Sequence, residues 1–178
     1  KKNDEIIIPD LTFVATASAV LLAGARPVLA DVDLDDMNIS PTSIQENITP
    51  QTKAILPVHL AGRACKINKI IKIAKSHNLS ILEDCAHAIG TICNGKHVGT
   101  FGKAGCFSFY PTKNFTTIEG GMVITNSKKI ADFIRTARNH GLTKSLSQRF
   151  SRGKPWDYDV KQAGFNYRLD EIRASLGI

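Results

Sequence analysis

The feature that most constrains this chain is an alternation of short, β-branched apolar runs with segments of helical period. Glu5–Pro9, Pro27–Val32, Lys53–Val58, Ser80–Glu83, Gly105–Phe109 and Gly121–Thr125 read as strands. Between them, Val14–Ala23 is small and helical and closes at Gly24, and Thr42–Asn47 reads as a short helix. Lys66–His77 is predicted as a longer helix with Asn78 as its C-cap, and Ser127 as the cap of a helix running to about Arg138. Parallel strands need crossovers between them and helices on both faces. The expected fold is therefore α/β, a mainly parallel sheet flanked by helices, with ligands bound beyond the carboxyl ends of the strands.

The helix at Lys66–His77 also explains part of the charge. Ile67, Ile70, Ile71 and Ala74 recur at i, i+3, i+4 and i+7, so its lysines are expected on the wet face. The formal net charge of +7 is spread along the chain, with no aromatic-interleaved basic stripe, which argues against nucleic acid. A basic surface equally suits an anionic small substrate. At 43% hydrophobic and 22% charged residues the chain is ordinary for a soluble domain, and it holds no run near the ~18 apolar residues of a membrane span. No membrane association is expected, and no signal peptide is visible. The cysteines at 65, 85, 93 and 106 show no metal-ligand spacing, so free thiols, no metal and a cytoplasmic location are expected.

From Gly141 to Asp159 the chain turns polar and reads as loop. A helix is predicted from about Arg168 through Ile178, with Leu169, Ile172 and Leu176 as an apolar stripe lacking a cap. These ends suggest an internal piece of a longer protein.

Two residues carry the chemistry. Ile81-Leu-Glu-Asp84 is a short apolar run ending on a carboxylate. Lys113 lies in Cys106-Phe-Ser-Phe-Tyr-Pro-Thr-Lys-Asn-Phe115, between an apolar segment and Gly120-Gly121. A lysine beyond one strand and an aspartate at the end of another suit pyridoxal 5'-phosphate (PLP). The amine forms a Schiff base with the aldehyde, and the carboxylate keeps the pyridine nitrogen protonated.

Ordered blocks along the chain extend this pattern. They are Pro9-Asp-Leu-Thr-Phe-Val-Ala-Thr16, Pro57-Val-His-Leu-Ala-Gly62, Glu83-Asp-Cys-Ala-His-Ala-Ile-Gly90 and Phe107-Ser-Phe-Tyr-Pro-Thr-Lys-Asn114. Glu119-Gly-Gly121, Arg138-Asn-His-Gly141 and Gly164-Phe-Asn-Tyr-Arg-Leu169 follow. In this order they resemble the DegT/DnrJ/EryC1/StrS sugar aminotransferases, PLP enzymes of fold type I. The resemblance implies that residues 1–178 form part of a PLP-binding large domain. The glycine- and threonine-rich phosphate-binding turn would precede it, and a small C-terminal domain would follow.

The resemblance also implies roles. Lys113 would hold the cofactor and shuttle the substrate proton, and Asp84 would pair with the pyridinium nitrogen. His87 would lie near the cofactor's phenolic oxygen, Phe13 over the ring face and Ser108 on the phosphate. Asn166 would reach the phosphate of a neighbouring subunit in a homodimer with shared active sites. The residues themselves leave other readings open: a helix cap for Asp84, a satisfied structural imidazole for His87, core packing for Phe13, a backbone-bonded strand serine for Ser108 and a loop position for Asn166. Glu119 and His59 fall in matched blocks without an assigned role.

The implied activity is amino transfer, with glutamate as donor and a nucleotide-linked keto sugar as acceptor, as in cell-surface polysaccharide biosynthesis. The alternatives are a sugar dehydratase of the same family, in which histidine replaces the Schiff-base lysine, and a member that keeps the fold without catalysis.

Overall fold

A computed structural model describes residues 2–144, 146–151 and 156–178. The chain divides into two compact units, one up to Asn126 and one from Ser127 to Ile178.

The first unit is built on a six-stranded sheet. Its strands are β1 (Glu5–Pro9), β2 (Arg26–Ala30), β3 (Thr52–Ile55), β4 (Ser80–Asp84), β7 (Ala104–Ser108) and β8 (Gly121–Ile124), in the order β2-β1-β3-β4-β7-β8. The first five run parallel and β8 is antiparallel to β7. The expected mainly parallel sheet is thus observed, with helices α1 (Val14–Leu22), α2 (Pro41–Glu46) and α3 (Ile67–Ser76) as its crossovers.

Apolar side chains from strands and helices interlock around Ile7, Ile39, Ile44, Ile55, Ile70 and Ile73. Each fully buried isoleucine contributes about 1.5–3 kcal/mol. On α3 the buried face is Ile67, Ile70, Ile73 and Ala74, with Ile71 only partly covered, so the stripe is rotated slightly from the expected one. Lys69, Lys72 and Lys75 are exposed as expected. Lys66 is not on the wet face: it caps α3, and its amine lies 2.6 Å from Asp33 and 3.2 Å from Asp35. Hydrogen bonding to Lys66 holds the Asp33 carboxyl below its usual range.

One element of this unit was not expected. Strands β5 (Ile92–Cys93) and β6 (Lys96–His97) form a two-residue hairpin, with Asn94 and Gly95 both left-handed at φ 50° and 72°. Asn-Gly is the preferred pair for such a turn.

The second unit holds α4 (Lys128–Ala137), α5 (Leu146–Ser151) and α6 (Glu171–Ser175). Ser127 Oγ accepts the Ile130 N–H at 3.4 Å, the cap read from sequence. Two readings are corrected. The loop expected over Gly141–Asp159 contains α5, although residues 145 and 152–155 lie outside the described residues. The terminal helix is shorter than expected: Asp170 caps it by accepting the Arg173 N–H at 2.9 Å, and it closes at Leu176. Asp170 outcompetes the apolar stripe as the start signal, which leaves Leu169 outside the helix and Ile172 and Leu176 exposed. No described helix is long and apolar enough to cross a membrane.

Candidate active site

The carboxyl edge of the parallel sheet gathers most of the residues singled out in the first unit. Asp84 ends β4 and pairs with Cys106 on β7; two residues further on, Ser108 ends β7 opposite Gly121. No helix follows Asp84. Its Oδ1 accepts the Ala86 N–H at 3.0 Å in a tight turn, so the helix-cap reading does not hold. Among the described residues its Oδ2 accepts only the hydroxyl of the buried Thr16, at 3.3 Å. Thr16 spends its single hydroxyl proton on Asp84, so Thr12 is the donor in the 2.8 Å contact between the two threonines. This relay ties the first turn of α1 to the end of β4. Sequence reasoning missed Thr16 because the bond spans 68 residues, although the residue stands in one of the matched blocks.

Phe13 is the N-cap residue of α1, three positions before Thr16, and is 72% exposed. Core packing is therefore not its role; an exposed ring at a helix start is free to stack on a ligand.

Lys113 lies in an excursion between Phe109 and Thr117. The segment is pinned at its base by the Thr117 N–H to Phe109 carbonyl bond (3.1 Å) and by an edge-on contact of the Phe109 and Phe115 rings. The Lys113 N–H donates to the Tyr110 carbonyl at 3.0 Å, closing a tight turn that includes Pro111. The Lys113 side chain is half-buried, and its amine has no hydrogen-bond or ion-pair partner among the described residues. Ser108 Oγ accepts the Tyr110 N–H at 3.3 Å, the local backbone bond that a strand serine can make, and its hydroxyl proton stays available.

His87 sits on the turn after Asp84, with Nδ1 accepting the Ala61 N–H at 3.3 Å. Asn166 belongs to the second unit, where it is exposed and bridges Asn139 in a short antiparallel contact.

Beneath this edge lies a cluster that sequence reasoning left unassigned. His59 and Glu83 are fully buried, 3.1 Å apart. Glu83 Oε1 accepts N–H bonds from Phe101 (2.8 Å) and Gly102 (2.7 Å); Oε2 accepts from Gly99 (2.7 Å) and His59 Nε2. Burial pushes the Glu83 carboxyl up, but the bonds from His59, Gly99 and Gly102 outweigh it and hold the group below its usual range. His59 Nδ1 accepts the Cys65 N–H at 3.0 Å. With Cys85 these side chains are close enough to hold a metal ion. Their lone pairs are instead occupied by N–H donors, and burial drives the Cys85 thiol up, away from the thiolate a metal needs. The anchored loop is packed so closely that a Cβ on Gly105 would lie 2.3 Å from Gly99 Cα.

A half-buried carboxylate, an unpartnered amine, a serine hydroxyl and an exposed aromatic fit the donor set that PLP requires. A model of the DegT/DnrJ/EryC1/StrS aminotransferase family matches residues 1–178. The chain belongs to this family. SpsC of Bacillus subtilis (strain 168), a spore coat polysaccharide biosynthesis protein, is 41% identical over 176 residues, covering 99% of this chain and 45% of SpsC. PseC of Helicobacter pylori, an aminotransferase involved in pseudoaminic acid biosynthesis, superposes with a TM-score of 0.89 at 37% identity, over 99% of this chain and 45% of its own. Spr1654 of Streptococcus pneumoniae, in its PMP form, does so with a TM-score of 0.87 at 30% identity, over 98% and 49% of the two chains. The chain thus spans about half the length of the relatives it matches. Its fold class is that of the fold type I PLP enzymes, and the solved structures it resembles include several aminotransferases.

Proposed function

We propose that the chain is the part of a PLP-dependent sugar aminotransferase that carries the Schiff-base lysine, Lys113, and the pyridine-binding carboxylate, Asp84. In this reading residues 1–178 belong to the large domain of a longer, cytoplasmic enzyme that transfers the amino group of glutamate to a nucleotide-linked keto sugar. The observation that carries it is made at the sheet's carboxyl edge: among the described residues the Lys113 amine has no partner and Asp84 Oδ2 has one long contact. Polar groups with spare bonding capacity beyond the carboxyl ends of parallel strands stand where α/β sheets bind their ligands.

PLP, when bound, would supply an aldehyde carbon that takes up the amino group and a ring that accepts electrons. Asp84 holds a proton on the ring nitrogen by its negative charge, and Thr16 fixes the carboxylate's orientation. Lys113 would anchor the cofactor and, once the amino donor displaces it, would carry the proton from the donor's α-carbon to the cofactor, the reverse transfer serving the sugar acceptor. Ser108 donates its free hydroxyl proton to the phosphate, and Phe13 covers one face of the ring, a stack worth about 1 kcal/mol. His87 donates to the phenolic oxygen. Asn166 binds the phosphate held by the second subunit of a homodimer.

The test is isotope transfer in the full-length enzyme. With 15N-glutamate and a panel of nucleotide-linked keto sugars, label is expected in one aminated sugar product, and none with Lys113→Ala. A wild-type enzyme that binds PLP yet moves label to no sugar would refute the substrate class. Label transfer by Lys113→Ala at the wild-type rate would refute the role of Lys113.

A further inference from the structure

The block Pro57–Gly62 contains a strained turn. Leu60–Gly62 is a single 3₁₀ turn in which Ala61 has φ 50°, ψ 26° and Gly62 has φ 81°. A left-handed alanine is unfavourable because its Cβ crowds the following carbonyl oxygen, so its surroundings must hold it. One side is riveted by Asn38, which is 1% exposed: its Oδ1 accepts the Leu60 N–H at 3.0 Å, and its Nδ2 donates to the Arg63 carbonyl at 3.2 Å. The other side faces the loop carrying His87. There the Ala61 N–H donates to His87 Nδ1 at 3.3 Å, and the Gly62 carbonyl accepts from Thr91 Oγ1 at 2.7 Å. A Cβ on Gly62 would lie 3.0 Å from the His87 carbonyl oxygen, so the close approach needs glycine.

A neutral imidazole has one N–H and one lone pair on its two nitrogens. Because Nδ1 accepts the Ala61 N–H, the ring proton must be on Nε2. We infer that the Leu60–Gly62 turn is a positioning device that fixes His87 as the Nε2–H tautomer, so that His87 meets its ligand as a hydrogen-bond donor. That the ligand atom is the cofactor's phenolic oxygen rests on the function proposed above; the tautomer does not. Ala61 is a positioning residue that acts through its backbone amide.

The molecule supplies its own references. His59 takes the same tautomer, with Nδ1 accepting from Cys65 N–H and Nε2 donating to Glu83. His97 takes the opposite one, with Nε2 accepting from Gly90 N–H at 3.0 Å and Nδ1 donating to the Val98 carbonyl at 2.7 Å.

The experiment is long-range 1H–15N correlation on the cofactor-free, full-length protein labelled with 15N-histidine, at a pH where the imidazoles are neutral. His87 should show the pattern of His59, with a proton-bearing Nε2 and an accepting Nδ1, opposite to His97. A pattern like that of His97, or averaged shifts from exchanging tautomers, would overturn the inference. Thr91→Val unties the Gly62 carbonyl and should move His87 toward averaged shifts while His59 and His97 stay fixed; unchanged His87 shifts would remove the turn from the account. His87→Gln keeps both an acceptor for Ala61 and a donor, and should bind PLP within about threefold of wild type. His87→Leu should bind about tenfold more weakly, the loss expected for one hydrogen bond. Equal affinity of the two variants would refute the donor role. If wild-type protein failed to bind PLP while His87 kept the Nε2–H pattern, the proposed function would fall and the tautomer assignment would stand.

Discussion

Glu83 and Asp84 are consecutive residues of β4, yet their carboxylates live in opposite conditions. Glu83 is fully buried and accepts four N–H donors, from Gly99, Phe101, Gly102 and His59. Asp84 is half-buried, accepts from Ala86 and, at 3.3 Å, from Thr16. The same contrast separates the two nitrogen bases: both ring nitrogens of His59 are occupied, whereas the Lys113 amine has no described partner. A saturated buried charge organises the chain around it. A charge with spare capacity at the end of a strand is available to a ligand. The alternating faces of one strand deliver both, the anchor below and the reactive edge above.

Substitutions should therefore separate into those that abolish chemistry and those that abolish folding. The largest effect is expected from Lys113→Ala, which should lower turnover of the full-length enzyme by at least the ~10²–10⁴-fold attributed to a general acid–base group. Its thermal melt should match wild type, because no described bond is lost; a large drop in Tm would make Lys113 structural.

Next comes the neighbouring pair. Glu83→Gln should destabilise by several kcal/mol, at ~1–3 kcal/mol per buried donor left unsatisfied, since the amide NH2 cannot accept from the N–H donors that face it. Asp84→Asn should leave the melt nearly unchanged and PLP bound while turnover falls, because the amide carries no charge to keep the ring nitrogen protonated. Reversed outcomes, a stable Glu83→Gln and an unfolded Asp84→Asn, would break the comparison.

Glu83 also sets a pH dependence. Its folded carboxyl titrates below the ordinary value of 4.5, so between the two values the unfolded chain binds the extra proton. Its contribution is complete above about pH 4.5 and is lost as the pH falls through the folded value. Denaturant melts from pH 7 downward should show this loss in wild type and a flatter profile in Glu83→Gln. Parallel profiles would mean that Glu83 is not the titrating group.

The smallest effect is expected at Thr16. Thr16→Val removes one long hydrogen bond to Asp84 and should reduce turnover by about tenfold or less, near the ~1 kcal/mol of an ordinary hydrogen bond. Thr16→Ser should restore it. Equal losses in both variants would point to packing of α1 instead.

Much of the fold was legible in the sequence because its signals are local. Ile67, Ile70 and Ala74 announce the buried face of α3, and the β-branched runs announce β1, β3 and β4. What was not legible depends on partners distant in sequence. Glu83 reads as one more charged residue until Gly99–Gly102 folds over it, and His59 cannot be assigned without Glu83, 24 positions later. Lys66 is indistinguishable in sequence from the lysines of α3, because only folding brings Asp33 and Asp35 to it. Two misses had a usable local signal: Asn94-Gly95 for the hairpin, and Asp170 as the cap of α6. For the site, the resemblance located Asp84, Lys113 and Ser108 near the carboxyl edge of the sheet, but neither the exposure of Phe13 nor the Thr16 relay follows from a motif.

The measurement that bears most directly on this account is covalent. Full-length enzyme is incubated with PLP, reduced with borohydride, digested and read by mass spectrometry. The cofactor's mass is expected on the peptide containing Lys113 and on no other lysine, and it should vanish in Lys113→Ala. A reduced adduct on a different lysine, or wild-type and Lys113→Ala proteins labelled alike, would contradict the central claim that Lys113 is left unpartnered in order to hold the cofactor.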